Sequence, residues 1–356
     1  TTSLSTIEVS SQQQKKLLTA FNQFFEQAVS KGVGPYKSFV IKADAKKQGN
    51  LHQLLALLDA HGIQYGNGVN GSAKGLNFFS SKEEQFTITK EDIVVSSLQP
   101  NSALLQVLLE PKTALTDSAT YDITAWSLPY AYGVQAFALK DKLAATESFT
   151  KPAITIAATK YGYALPWNSL KSAVFAAKLL QKGYKLRYAT ESFEVNGNTF
   201  DPGTVLVLKT SNEKMGEQLF EKVREEAMQD QIALVSLQSG MVDKGADFGS
   251  DKVHSIRTPR VAMLSGEGCS SLSVGEVWHF FDRQLSYPLT VLNGTSFSVN
   301  DLVAFDVLIL PEGRFRFLDA KENVEGIRNW LQQGGKLVAL GESSLQLGKL
   351  DIGLIS

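Results

Sequence analysis

The chain has 356 residues, 43% of them apolar, and its 35 basic residues against 36 acidic ones leave a formal net charge of -1. That length exceeds what a single hydrophobic core usually supports, so two or three domains are expected. Balanced charge without long like-charge blocks argues against nucleic acid and anionic membranes as partners, and no apolar run approaches the roughly 20 residues of a membrane helix.

The start, TTSLSTIEVSSQQQ, is polar and carries neither an initiator Met nor a signal-like pattern, so a mature soluble segment of a longer protein is expected. Over 11–31, Leu17, Leu18, Phe21, Phe24, Phe25 and Ala28 recur at helical spacing and form one apolar stripe, which predicts a helix that packs on something. Three stretches then repeat one order of elements. The first predicts a strand over 38–43, a helix over 51–60, strands over 63–65 and 93–96, and a helix over 102–110. The second predicts strands over 153–157, 185–189, 204–208 and 232–236, with helices over 168–181 and 213–228. The third predicts strands over 261–264, 289–292, 307–310 and 336–340, with helices over 274–285 and 321–332.

Strands alternating with helices, and strands written as unbroken apolar runs (ITIAA, TVLVL, DVLIL), predict an α/β fold. The expectation is two or three doubly wound, flavodoxin-like parallel-sheet units spanning 1–145, 146–255 and 256–356. Linkers are placed at 139–151 and 240–258, where polar residues replace apolar periodicity. Right-handed crossovers predict the sheet order 2-1-3-4 for 259–340. Trp278 is assigned to the buried stripe of its helix with Val274, Val277, Phe281 and Leu285.

Long stretches of this chain resemble the region that follows the peptidase domain in large bacterial secreted zinc carboxypeptidases of the carboxypeptidase A-like class. They are TYDITAWSLPYAYGVQAF (120–137), YGYALPWNSLKSA (161–173), SGMVDKGADFGS (239–250) and TPRVAMLSGEGCSSLSVGEVWHFFDRQLSYP (258–288). The resemblance implies a periplasmic or secreted accessory region. Its partner would be the peptidase domain of the same polypeptide, with zinc as that domain's cofactor and none here. That family holds zinc through His-x-x-Glu and a distant His. None of His52, His61, His254 and His279 has Glu three residues on, and His279 with Asp282 is the nearest approach. No catalytic or metal residue is therefore assigned.

The last unit, with GGKLVALGESS at 334–344, is similar to the class I glutamine amidotransferase-like fold. That resemblance puts the nucleophile position on Gly341 or Glu342, where there is no thiol. Glu342 is expected at the top of the bend, facing the loop of Glu267 or pairing with Arg314. Ser343 is adjacent, but no His follows it to act as base. Cys269, the single Cys, excludes an internal disulfide, and nothing near it in sequence would lower its pKa.

In SGEGCSSLSVGE, Gly266 and Gly268 suit either a tight turn or an anion site, and Ser273 with Glu276 reads as a capping box. Glu267, Glu312 and Glu342 each follow a predicted parallel strand, so they can converge on a crevice at the strands' carboxyl ends or simply face water. Aromatics gather in two loops, Tyr121, Trp126, Tyr130 and Tyr132, then Tyr161, Tyr163 and Trp167. They suit a peptide or glycan ligand, or packing between domains. The function expected is a non-catalytic accessory region that positions substrate or partner. A hydrolase using the carboxylate crevice and a structural spacer are the alternatives.

Overall fold

The computed structural model describes residues 2–112, 127–143, 145–146, 149, 154–350 and 352. The chain divides into two compact units, Thr1–Ala153 and Ile154–Ser356. No helix among the described residues is long and apolar enough to cross a membrane.

The first unit opens on helices α1 (Thr2–Gln12) and α2 (Gln14–Ser30). Ala28 of α2 is buried, whereas Leu17, Leu18, Phe21 and Phe24 of the expected stripe are exposed. Next come β1 (Ser38–Ile41), α3 (Gln48–Ala60), β2 (Gly66–Asn67), β3 (Gly71–Asn77), β4 (Glu83–Ile88), β5 (Ile93–Ser96), α4 (Ser102–Leu109), α5 (Leu128–Ala131) and β6 (Ala136–Leu139). The strands lie in the order β2-β5-β1-β6-β3-β4, and every pairing is antiparallel. The two strands flanking α3 are thus separated by β5, which is the split βαβ arrangement of ferredoxin-like folds.

The second unit begins with the same plan. It contains β7 (Gly162–Leu165), α6 (Leu170–Gln181), β8 (Leu186–Ala189), the hairpin β9 (Phe193–Val195) and β10 (Asn198–Phe200), then β11 (Val205–Leu208), α7 (Leu219–Gln229) and β12 (Val235–Leu237). With β13 (Lys244–Gly245) and β14 (Val253–Ile256) added, the main sheet has the order β12-β7-β11-β8-β14, antiparallel throughout, and β13 joins the hairpin. The first two repeats are therefore not the doubly wound parallel units that the sequence pattern suggested.

The reason lies in what covers each sheet. Phe39 and Ile41 of β1 face the helices, while Val40 joins Val94, Phe137 and Leu139 on the other face, where Phe86 of the hairpin stacks on Phe137 at 3.8 Å. In the second repeat Tyr163, Val205 and Val207 face the helices, while Ala164, Leu206 and Leu208 pack on Phe193 and Phe200 of β9–β10. In both repeats a hairpin buries the face that helices do not, so the strands read as continuous apolar runs just as parallel strands do. Register is specified strongly, because a one-residue slip would exchange the two apolar sets.

Each repeat also carries a buried amide clasp. Gln99 accepts from Gln64 N–H at 2.8 Å and donates to the carbonyls of Gln64 at 3.1 Å and Ser96 at 2.6 Å. Asn212 accepts from Lys185 N–H at 2.7 Å and donates to the carbonyls of Lys185 at 2.8 Å and Leu208 at 2.9 Å. Each side chain thus imitates a strand backbone just beyond the end of β5 or β11, satisfying groups that burial would otherwise strand.

The remaining lobe is a parallel sheet of β15 (Val261–Ser265), β16 (Leu289–Asn293), β17 (Val307–Leu310) and β18 (Lys336–Ala339). Its order, β16-β15-β17-β18, is the expected 2-1-3-4. Helix α8 (Ser271–His279), continued by a π-helical turn over Phe280–Leu285, packs on Val261, Met263 and Ile309. Helices α9 (Lys321–Gln332) and α10 (Glu342–Leu347) cover the opposite set, Ala262, Leu264, Leu308 and Leu310. Ala177 of α6 joins the α8 cluster, and Gln181 donates to the Ser286 carbonyl at 2.7 Å, so the two lobes of this unit are packed together.

Two expectations are corrected here. Ser270, not Ser273, caps α8, its hydroxyl accepting from Ser273 N–H at 3.5 Å. Trp278 is 46% exposed and lies outside the stripe formed by Val274, Val277, Phe281 and Leu285. Trp278→Ala is accordingly expected to cost less than about 1 kcal/mol in chemical denaturation, as surface substitutions do, and a loss near 3 kcal/mol would contradict this placement.

Candidate functional site

At the carboxyl ends of a parallel sheet, chain ends and helix starts leave polar groups exposed to ligands. Here the loops after β15, β17 and β18 carry Glu267, Glu312 and Glu342, all exposed. The first two loops are tied together: Arg314 N–H donates to the Gly268 carbonyl at 2.9 Å, Ser270 N–H to the Glu312 carbonyl at 2.8 Å, and Cys269 pairs with Gly313 as an isolated bridge. Glu267 is occupied by Arg316, 3.2 Å from its carboxylate, and Arg314 lies 3.9 Å from Asp319 rather than pairing with Glu342. Both pairs are exposed and contribute little to stability.

The bend after β18 is at Gly341, with φ 56° and ψ -130°, and Glu342 is already the first residue of α10. This backbone conformation is open to glycine and strained for other residues. A Cβ on Gly341 would stand 3.0 Å from Glu312 Cγ, so the Glu312 side chain fills the space where a side chain on the bend would begin. The bend therefore presents no side chain of its own, which corrects the expectation that Glu342 stands at its top.

Neither neighbouring hydroxyl nor thiol is placed as a nucleophile. Ser343 is wholly buried; its Oγ lies 2.7 Å from the Leu340 carbonyl and 3.1 Å from the Leu310 carbonyl, and accepts from Leu340 N–H at 3.1 Å. Burial pushes the Cys269 thiol up, away from the reactive thiolate. Among the described residues no group of three or more His, Cys, Asp or Glu is gathered to hold a metal ion.

The aromatic candidates separate. Trp126 lies outside the described residues. Tyr163 is 1% exposed, its hydroxyl donating to the Ala157 carbonyl at 3.1 Å and its ring edge-on to Phe220 at 5.7 Å, so it is core. Tyr161 stacks on Phe248 at 6.1 Å and crowds Gly240, where a Cβ would meet its hydroxyl at 2.3 Å. Trp167, by contrast, is 50% exposed and backed by Gly203.

Trp167 borders a cleft of about 870 Å³ between the two lobes of the second unit, together with Tyr188, Arg257, Val303, Trp330 and Lys336. Arg260 and Asp306 form one rim through two parallel hydrogen bonds of 3.1 Å, and Arg260 holds the Asp306 carboxyl below the usual carboxylate range. The exposed rings of Trp167 and Tyr188 beside basic groups suit stacking on sugar rings or on peptide side chains, whereas Trp330 is buried and donates its Nε1–H to the Phe305 carbonyl at 3.3 Å. Sequence reasoning found Trp167 but missed Tyr188 and Arg257. They are distant in the chain and meet only where the lobes pack, so no local pattern marks them.

No family model, no curated protein and no solved structure matches this chain.

Proposed function

We propose that this chain is a non-catalytic accessory region of a secreted or periplasmic zinc carboxypeptidase, and that it positions a peptide or glycan partner in the cleft beside Trp167. The observation that carries the reading is the bend at Gly341. The last lobe has parallel order 2-1-3-4 and a strand, bend and helix in sequence at Gly341, which supports an amidotransferase-like reading, but the bend that would hold a nucleophile there has no side chain and is roofed by Glu312. Recognition then falls to the aromatic and basic cleft, whose volume suits a ligand of a few sugar or amino-acid units.

The reading is tested on the purified chain. Zinc-dependent release of C-terminal amino acids from peptides, or ammonia release from glutamine, is expected at background level, and robust turnover in either assay overturns it. Calorimetric screening with cell-wall oligosaccharides and short peptides is expected to find a ligand whose affinity drops about tenfold or more in Trp167→Ala. A screen without any binder would favour the structural-spacer alternative instead.

A further inference from the structure

A second cleft, of about 720 Å³, lies within the antiparallel lobe of the second unit, between the segment entering β7, the segment leaving β11 and the first turns of α7. Its floor is apolar and closed, built from Tyr163, Leu219 and Phe220, all buried. Its walls carry three cations, Lys160, Lys209 and Arg224, and three carboxylates, Glu213, Glu217 and Glu221. Among the described residues none of these six is engaged in an ion pair or side-chain hydrogen bond. Arg224 is the partly buried member of the six, and the other five are exposed.

Arg224 lines the cleft without a carboxylate partner among the described residues, and a guanidinium so placed can donate to a planar oxyanion. The charge of the walls then selects the kind of anion. With three carboxylates and three cations the lining carries no net positive charge to attract a compact dianion such as phosphate, whereas a ligand carrying one carboxylate and one ammonium meets both signs. The apolar floor adds a place for a hydrophobic side chain, and the volume admits one to three residues. We propose that this cleft is a binding site for a zwitterionic amino acid or short peptide with an apolar side chain, its carboxylate held by Arg224 and its ammonium by the glutamates that line the same cleft along 213–221. The cleft is distinct from the one beside Trp167, and the inference stands without the reading given above.

The test is calorimetric titration of the full chain with alanyl-phenylalanine, its C-terminal amide and its N-acetyl derivative. Saturable binding of the free dipeptide is expected, weakened about tenfold or more by amidation of its carboxylate and less by acetylation. Arg224→Gln is expected to remove the preference for the free carboxylate with an unchanged circular dichroism spectrum, while Arg224→Lys restores part of it. Absence of saturation up to about 10 mM, equal affinity for the acid and the amide, or displacement by inorganic phosphate at equal concentration would each overturn the proposal.

Discussion

Asn212→Ala is expected to destabilise the second unit by about 3 kcal/mol, because it leaves three backbone groups without partners at a site where water has little access. Asn212 is 3% exposed and serves Lys185 N–H, the Lys185 carbonyl and the Leu208 carbonyl at once. Each buried group left unsatisfied costs about 1–3 kcal/mol, and partial rehydration lowers the sum. Asn212→Asp is expected to cost nearly as much, since a carboxylate keeps the bond from Lys185 N–H but sets negative charge against two carbonyl oxygens. A residue that merely filled space would tolerate Asp. Denaturant titration of both variants checks the point, and a loss below about 1 kcal/mol for Ala would show that the clasp does not hold β8 to the end of β11. Gln99→Ala in the first unit should behave alike, because Gln99 makes the same three kinds of contact.

Gly341→Cys, which installs a thiol on the bend of the parallel lobe, is expected to cost about 3 kcal/mol. Part is backbone strain, about 1–3 kcal/mol for a side chain held at φ 56°. Part is overpacking against Glu312, whose Cγ would be 3.0 Å from the new Cβ. The two contributions separate in the double variant with Glu312→Ala, which should recover about 1 kcal/mol while the strain remains. No recovery would mean that Glu312 does not roof the bend. A single variant as stable as the parent would show that the turn relaxes freely and that its missing side chain is no barrier to a nucleophile.

The parallel lobe was legible in the sequence because each of its strands is followed or preceded by a helix that packs on the adjacent strand, so handedness leaves few arrangements. The strands β1, β5, β8 and β11 were legible too, β11 as an unbroken apolar run. The expected strand over 153–157 is no strand in its described residues, β7 at Gly162–Leu165 opens the second repeat instead, and the hairpins were not foreseen. Which strands are neighbours was not legible either. Whether β1 lies beside β2 or is separated from it by β5 depends on pairings between segments dozens of residues apart, and a second apolar face looks the same under a hairpin as under a helix. Local chemistry likewise identified Gly341 as free to bend and Glu267 and Glu312 as loop carboxylates at the strands' carboxyl ends, while Glu342 opens α10. Only the packed structure decided that Glu312 occupies the space above the bend, that Tyr163 is core while Trp167 faces a cleft, and that Arg224 enters another cleft unpaired. Composition and periodicity act along the chain, whereas a site is made by side chains that long-range pairing brings together.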